Sequence, residues 1–378
     1  MTELVTQHSS KIQHGSWIEL RTNHLLENLQ TLRNHSRQTE VLAVIKANAY
    51  GHGLSEIANA LAGKVTYFGV ATLREALELK ENHPQTPVFL FGHLLAHEIP
   101  AALLGGITLS VSSFEKAKEI SELSKGLGRK TPVHVKIDTG MGRMGIPIRE
   151  ALPAIEQMTS MKGILMDGIY MHFPTAEKED AFRETQVREF GLLLQTLEQK
   201  GIIFRYRHIS NSAASLTLKT PIVNMIRPGL TLYGIYPDEG LKETAVFQPV
   251  LSVKSRILLV KKINTGETVG YGREFTAKTP TIVATIPFGY SHGYPYAAWK
   301  KASVLYQGKR YALAGKVSMD YITINFGNTP VKEGDVVTLM GEDQGDRITA
   351  EDIAHWAGTI PYEIVTRLNS HLPRLVTQ

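Results

Sequence analysis

The chain of 378 residues contains no cysteine. Disulfides, thiolate nucleophiles and Cys-ligated zinc are therefore excluded, and a reducing cytoplasmic setting is expected. No run of about 18 apolar residues occurs, so no transmembrane helix is expected. The opening stretch MTELVTQHSSKIQHG lacks an apolar core, and no secretory signal is expected there. Neither sign of charge dominates: 41 Lys+Arg face 36 Asp+Glu. The basic pairs Lys261-Lys262, Lys300-Lys301 and Lys309-Arg310 lie far apart, whereas a nucleic-acid binder gathers its charge into one patch. The 32 glycines follow no triplet period, which excludes a collagen-like chain. His93 and His97 have i, i+4 spacing but no evident third ligand, so no metal is expected.

What is present is a globular composition, 43% hydrophobic, on a chain long enough for two or three domains. Apolar β-rich runs occupy residues 41–46, 66–71, 87–91, 107–111, 132–138, 166–172, 205–210 and 223–227. They lack strict polar alternation, as parallel strands covered by helices do. Helical patterns lie between most of them. Residues 22–36 carry Leu25, Leu26, Leu29 and Leu32 on one stripe, and 113–124 show Ala117, Ile120 and Leu123. Residues 180–200 show Phe182, Val187, Phe190, Leu193, Leu194 and Leu197. Eight strands with intervening helices predict a (β/α)8 barrel over residues 1–245, with a doubly wound open sheet as the rival. Short strand-like runs then recur at 250–261, 281–286, 302–306, 310–314, 321–325 and 335–340, closed by a helix near 349–357. Residues 246–378 are thus expected to form a mostly β domain, on which the first 14 or so residues are also expected to pack.

The sharpest local signal is VLAVIKANAYGHG, residues 41–53. A buried strand delivers Lys46 to its C-terminal end, the active-site end of a barrel. Desolvation there lowers an amine's pKa and makes it a nucleophile suited to Schiff-base chemistry. The plain alternative is a strand that stops, leaving its ammonium in water. Residues 140–145, GMGRMG, satisfy a dinucleotide-binding pattern, but the preceding strand is the fifth of a series and Ile146-Pro147 intervenes before the next helix. Ser210-Asn211-Ser212 reads either as an ordinary helix cap or as an anion-binding helix start.

VLAVIKANAYGHG closely resembles the cofactor-lysine segment of the alanine racemases. IDTGMGRMG (137–145), HISNSAA (208–214), IRPGLTLYG (226–234), VGYGREF (269–275), GKVSMD (315–320) and TIPYEI (359–364) resemble that family's motifs in the family's order. The resemblance implies a barrel plus β domain and a homodimer with shared active sites. It implies interconversion of L- and D-alanine by two-base proton transfer through an external aldimine of pyridoxal 5'-phosphate, supplying D-alanine for peptidoglycan. Lys46 would carry the cofactor and serve one face of the substrate; Tyr271 of the neighbouring chain would serve the other. Tyr50, His172, Asn211, Ser212, Arg227, Gly229, Leu230 and Tyr362 would surround the cofactor, with Arg227 facing its pyridine nitrogen. Arg143 and Met319 would hold the substrate carboxylate. His208 would bond Arg227, and His172 would orient Tyr271. Lys136 matches a position that is carbamylated in some relatives, and Tyr290 with Tyr362 would narrow the entrance beside Asp320.

Two positions depart from the family. In Gly289-Tyr290-Ser291-His292-Gly293-Tyr294, His292 replaces a common acidic residue, and Tyr296 stands where an Arg is common. The alternatives are a broader amino-acid racemase of the same fold, a cofactor-carrying regulatory protein, and a related decarboxylase. The last normally requires a catalytic Cys, which is missing here.

Overall fold

A computed structural model describes residues 15–37 and 40–377, so the expectation placed on the first 14 residues lies outside the described part. Among the described residues, one compact unit comprises 23–50 and 54–248, and a second comprises 15–22, 51–53 and 249–377.

The first unit is the barrel. Parallel strands Glu40–Val44, Tyr67–Val70, Val88–Leu90, Thr108–Val111, Thr131–Asp138, Ile164–Tyr170 and Tyr206–His208 pair in chain order. The eighth, Met225–Ile226, pairs back with the first. Between the seventh and eighth, Asn224 N–H donates to Arg207 O at 3.0 Å and Arg227 N–H to Ser210 O at 2.9 Å, which all but closes the ring. The open-sheet rival is thereby set aside. Buried side chains come from strands and helices alike, and the strands are buried along nearly their whole length, which is why they read as continuous apolar runs.

The helices start where their caps dictate. Ser113 accepts from Lys116 N–H ahead of Phe114–Gly126, and Asp180 accepts from Arg183 N–H ahead of Ala181–Gln199. Two residues assigned to buried stripes prove exposed. Leu123 turns outward because Ser121 and Ser124 occupy the inner face: Ser121 Oγ accepts Gly163 N–H, and Ser124 Oγ lies 2.7 Å from Thr131 Oγ1. Phe182 is exposed because the helix's inner side runs through Arg183, Gln186, Phe190, Leu193 and Leu197. Its ring lies instead beside Gly140, where an added Cβ would sit 2.6 Å from Phe182 Cζ.

The second unit is mostly β. One sheet runs Lys309–Ala312, Ser303–Tyr306, Val336–Asp343, Leu251–Arg256, Ser16–Arg21, Arg374–Thr377, with Asp346–Ile348 added on Val336–Asp343. A second holds Leu259–Ile263, Thr281–Ile286 and Ile322–Gly327. The single strand expected over 250–261 is two. Ile257 N–H bonds Asp335 O and Leu258 N–H bonds Thr285 O, so the chain crosses from one sheet to the other there. Ser16–Arg21 was not read from the sequence; its partners lie some 230 or more residues away, at Leu251–Arg256 and Arg374–Thr377. Among the described residues, no helix is long and apolar enough to cross a membrane.

Candidate active site

The expected strand through Lys46 ends at Val44, and Lys46 instead opens a tight turn. Ile45 N–H is held by Gly69 O on the neighbouring strand at 2.9 Å. The next residues, Ala47, Asn48, Ala49 and Tyr50, have φ of 54, 53, 52 and 52°. This is a run of left-handed helix built from residues that carry a Cβ. Such a conformation costs about 1–2 kcal/mol per residue, so the surroundings must impose it. They do so through hydrogen bonds: Ala49 N–H to Ile45 O, Leu54 N–H to Asn48 Oδ1 at 2.8 Å, and Ala47 N–H to Glu75 Oε1 at 2.6 Å. The Lys46 amine is pushed below its ordinary pKa, chiefly by burial and then by the Arg143 cation, against an opposing pull from Glu75.

Lys46 is one of four cations at this end of the barrel. Lys136 lies on the fifth strand, Arg143 on the loop after it, and Arg227 just after the eighth strand. Among the described residues, none of the four has a carboxylate partner within 4.0 Å (Lys136 feels Asp138 only at longer range). Burial, then Arg143 and Arg227, lower the Lys136 amine to about 8. A basin of unneutralised like charges of this kind attracts an anion. The loop carrying Arg143 folds onto Asp138, whose carboxylate accepts Gly140 N–H at 3.0 Å and Gly142 N–H at 3.1 Å. Gly145 leads into the short strand Ile146–Pro147, so the GMGRMG segment does not open the helix that a dinucleotide site requires.

Arg227 is fully buried and fixed by two carbonyls, Met171 O at 2.9 Å and Ile209 O at 3.2 Å. Its Nη1 donates to His208 Nδ1 at 3.1 Å, and Nη2 lies 3.4 Å from His172 Nδ1. An arginine can only donate, so neutral His208 carries its proton on Nε2. That nitrogen lies 2.8 Å from His134 Nδ1, which must accept. Burial and Arg227 hold His134 at about 3 and His208 well below the usual histidine range, so both rings stay neutral. Tyr170 stacks on His208 at 4.8 Å, and Phe89 stacks on His134 at 4.7 Å. Gly168 makes room for His134: a Cβ there would lie 2.5 Å from its ring. His172 is likewise lowered to about 3, by burial and then by Arg227, Lys136, Arg143 and Lys46.

At the start of the helix Ser212–Thr217 lies a cradle of backbone and hydroxyl groups. Asn211 caps the helix Ser212–Thr217 by accepting Ala214 N–H. Ser212 Oγ accepts Gly229 N–H at 2.9 Å and Thr231 N–H at 3.4 Å, tying this helix to the turn that begins at Leu230. A Cβ on Gly229 would lie 2.6 Å from Tyr50 Oη, so the phenol occupies the space a side chain would take. Tyr50 packs on Tyr233 at 5.3 Å, and Tyr233 donates to Val44 O.

Tyr271, Tyr290, Met319, Asp320 and Tyr362 belong to the second unit. Tyr271 stands 74% exposed on a turn between Gly270 and Gly272, both at φ 74°. Tyr290, Met319 and Asp320 are brought together by two zipped loops. Tyr290 N–H donates to Ser318 O, Ser291 N–H to Met319 O at 3.0 Å, and Ser291 Oγ to Asp320 Oδ1 at 2.8 Å. His292, the departure from the family pattern, accepts Gly289 N–H on Nδ1 at 3.2 Å and stacks on Phe288, a bond a carboxylate in its place would also accept. Tyr362 lies on the helix Pro361–Thr366 and is half-buried.

Two residues at the barrel site escaped the sequence reading. His134 had a signal: it alternates with apolar Val133 and Val135 and shares a strand face with Lys136, so two polar groups point into the barrel. Glu75 sits in Thr72-x-x-Glu75, a helix-start signature whose second task, at Ala47, no local pattern announces.

These features define a class: a (β/α)8 barrel joined to a β unit, with a desolvated lysine set among unpaired cations beside a glycine–hydroxyl cradle. Comparison with known proteins narrows it. Residues 20–237 match the family model for the alanine racemase N-terminal domain, and 250–376 the model for the alanine racemase C-terminal domain. The chain is 38% identical to the alanine racemase of Desulforamulus reducens over 365 residues, covering 95% of this chain and 98% of that one. It is 36% identical to that of Carboxydothermus hydrogenoformans, with 95% and 98% covered. Among solved structures, the alanine racemase of Clostridium difficile 630 superimposes with a TM-score of 0.91 at 32% identity, covering 97% and 96%. A histidine racemase from Leuconostoc mesenteroides subsp. sake gives 0.89 at 27%, covering 97% and 99%. The chain belongs to the alanine racemase family.

Proposed function

We propose that this chain is a pyridoxal 5'-phosphate-dependent racemase that interconverts L- and D-alanine, acts as a cytoplasmic homodimer, and supplies D-alanine for peptidoglycan. The observation that carries the reading is the desolvated Lys46 amine on a braced turn, in a basin of cations without carboxylate partners. The residues suit this cofactor. The Gly229–Ser212 junction and the Tyr50 phenol form a cradle in which a Cβ would collide, the kind of close backbone approach a phosphate group requires. Asn211 and Leu230 flank it, and Tyr362 is assigned to the same end of the cofactor.

When bound, pyridoxal phosphate supplies an aldehyde that takes an amino group and a ring that draws electrons from the substrate's α-carbon. Lys46 Nζ would hold the cofactor and would carry the substrate's α-proton on one face; its depressed pKa keeps a neutral, proton-accepting fraction available. Arg227 is the group assigned to the pyridine nitrogen. Held as a pure donor by Met171 O, Ile209 O and His208, it would leave that nitrogen without a proton, an arrangement that would suit plain proton return over transamination. Arg143 presents its guanidinium fork to the substrate carboxylate, with Met319 N–H of a second copy as a further donor. Lys136, at about 8, has a neutral fraction able to take up carbon dioxide, and the resulting carbamate would hold Arg143. His172 is assigned to orient Tyr271.

Tyr271 Oη, contributed by a second copy, serves the opposite face. Its 74% exposure, with Met319, Tyr290, Tyr296 and Tyr321 also exposed on the same unit, supports a surface that a partner copy covers. The histidine racemase likeness keeps a wider substrate range as the second reading. The test is direct. The protein loaded with pyridoxal phosphate should racemise alanine faster than serine, histidine, lysine or arginine, and Lys46→Ala should abolish the borohydride-trapped adduct. Faster turnover of a larger amino acid would replace the substrate, and an adduct persisting on another lysine would move the site.

A further inference from the structure

We propose that Glu75 is a positioning residue for Lys46: its carboxylate clamps the left-handed turn that follows the lysine, and so aims the amine and tunes its charge. This inference rests on the assignment of Lys46 as the cofactor lysine.

Glu75 belongs to the helix Leu73–Asn82, which follows Lys46 in the chain after one further helix and one strand, and it is partly buried. Its Oε2 accepts Ala71 N–H, Thr72 N–H and Thr72 Oγ–H, each at 3.1 Å, while Glu75 N–H returns to Thr72 Oγ1 at 3.3 Å. That much is a helix cap with reciprocal bonds, and capping explains why the sequence carries a Glu at this position. Capping needs only one carboxylate oxygen. The other, Oε1, accepts Ala47 N–H at 2.6 Å, the shortest of the set and the only one that leaves the helix and its approach. Lys46 is therefore bracketed. The peptide before it is tied through Ile45 O, which accepts Ala49 N–H at 2.9 Å, and the peptide after it is tied through Ala47 N–H, which donates to Glu75. With both flanking amides fixed, the Cα–Cβ direction of Lys46 cannot swing, which is what a group that must find one cofactor atom requires. The same bond helps impose the αL conformation that residues 47–50 would not adopt unaided.

The electrostatics run the same way. The charged groups acting on Lys46 are Arg143 from the loop after the fifth strand and Glu75 from this helix, and Lys46 in turn acts on His172 beyond the sixth strand. Arg143 lowers the amine and Glu75 raises it, so among the described residues Glu75 is the anion that keeps the lysine from losing its proton too readily.

The experiment compares Glu75→Gln, Glu75→Ala and Thr72→Ala with wild type in the full-length chain. The first readout is the pH dependence of the rate at which added pyridoxal phosphate forms the visible-absorbing adduct after the protein has been stripped with hydroxylamine. The second is the thermal midpoint, and the third is alanine kcat and KM. Glu75→Gln keeps the shape and removes the charge, so it should displace the pH profile towards lower pH. Glu75→Ala should lose about a hundredfold in kcat with KM within about threefold, the scale of a small misplacement of a reacting group. Thr72→Ala breaks only the cap, and should lower the thermal midpoint while leaving the pH profile in place. If the Glu75 variants lower the midpoint as Thr72→Ala does but leave both profile and kcat within about twofold of wild type, Glu75 is a helix cap and the inference fails. Lys46→Ala run alongside separates the two levels. An adduct that survives there overturns the assignment of Lys46, whereas an adduct lost there with unmoved Glu75 variants overturns only the role of Glu75.

Discussion

Gly229→Ala probes the cradle with a single methyl group. The Cβ would sit 2.6 Å from Tyr50 Oη and 3.1 Å from its Cζ, well inside van der Waals contact. The phenol cannot retreat freely, because its ring packs on Tyr233 at 5.3 Å and Tyr233 is wholly buried. Its backbone is fixed too, as the last residue of the left-handed run. Forcing a methyl into a packed site of this kind costs about 1–3 kcal/mol. The Gly229 N–H bond to Ser212 Oγ, at 2.9 Å, is the feature that would yield first. If about 2 kcal/mol falls on the cofactor-loaded form alone, pyridoxal phosphate affinity drops about thirtyfold, since 1.4 kcal/mol is a factor of ten. Titration of the stripped protein with pyridoxal phosphate, followed by visible absorption, reads this directly, with the thermal midpoint of the unloaded chain as control. Unchanged affinity in a variant that folds normally would refute the placement of the phosphate at this junction.

Tyr271→Phe should slow proton exchange far more on one alanine enantiomer than on the other, measured by deuterium wash-in from each; equal, small losses would count against a two-face scheme. Arg227→Glu should raise the yield of pyruvate and pyridoxamine phosphate per turnover, because a carboxylate accepts from, and so stabilises, a protonated pyridine nitrogen, whereas Arg227 can only donate to an unprotonated one; an unchanged yield would mean that the ring's partner lies elsewhere. Equilibration with 13C-bicarbonate should give one carbamate carbon signal that Lys136→Ala removes. With the amine at about 8, that signal should weaken as pH falls below this value, since protonation removes the nucleophile. A signal insensitive to Lys136→Ala would place it on another amine.

Much of the barrel was legible in the sequence because its signals are local. Ser113 and Asp180 start helices from within one turn, and eight apolar runs spaced by helical stripes have few other ways to bury themselves. Lys46 was legible as a polar residue terminating an apolar strand. What escaped depends on distance in the chain. Ser16–Arg21 looks like any short strand until Leu251–Arg256 lies beside it. His134 has its partner His208 at a separation of 74 residues, and the Ala47–Glu75 bond spans 28. The left-handed turn was illegible for a different reason: of Ala, Asn, Ala and Tyr only Asn visits that region readily, and then as a single residue, so the run exists because tertiary bonds enforce it.

That turn has a consequence for handedness. A backbone at φ near +53° is the mirror image of an ordinary right-handed helix, and it is the native preference of amino acids of the opposite chirality. A synthetic chain carrying D-alanine in place of Ala47 and Ala49 should therefore relax where the natural one is tense. The segment beside the lysine is written in L-residues, yet it follows the geometry of the enantiomer this enzyme is proposed to make.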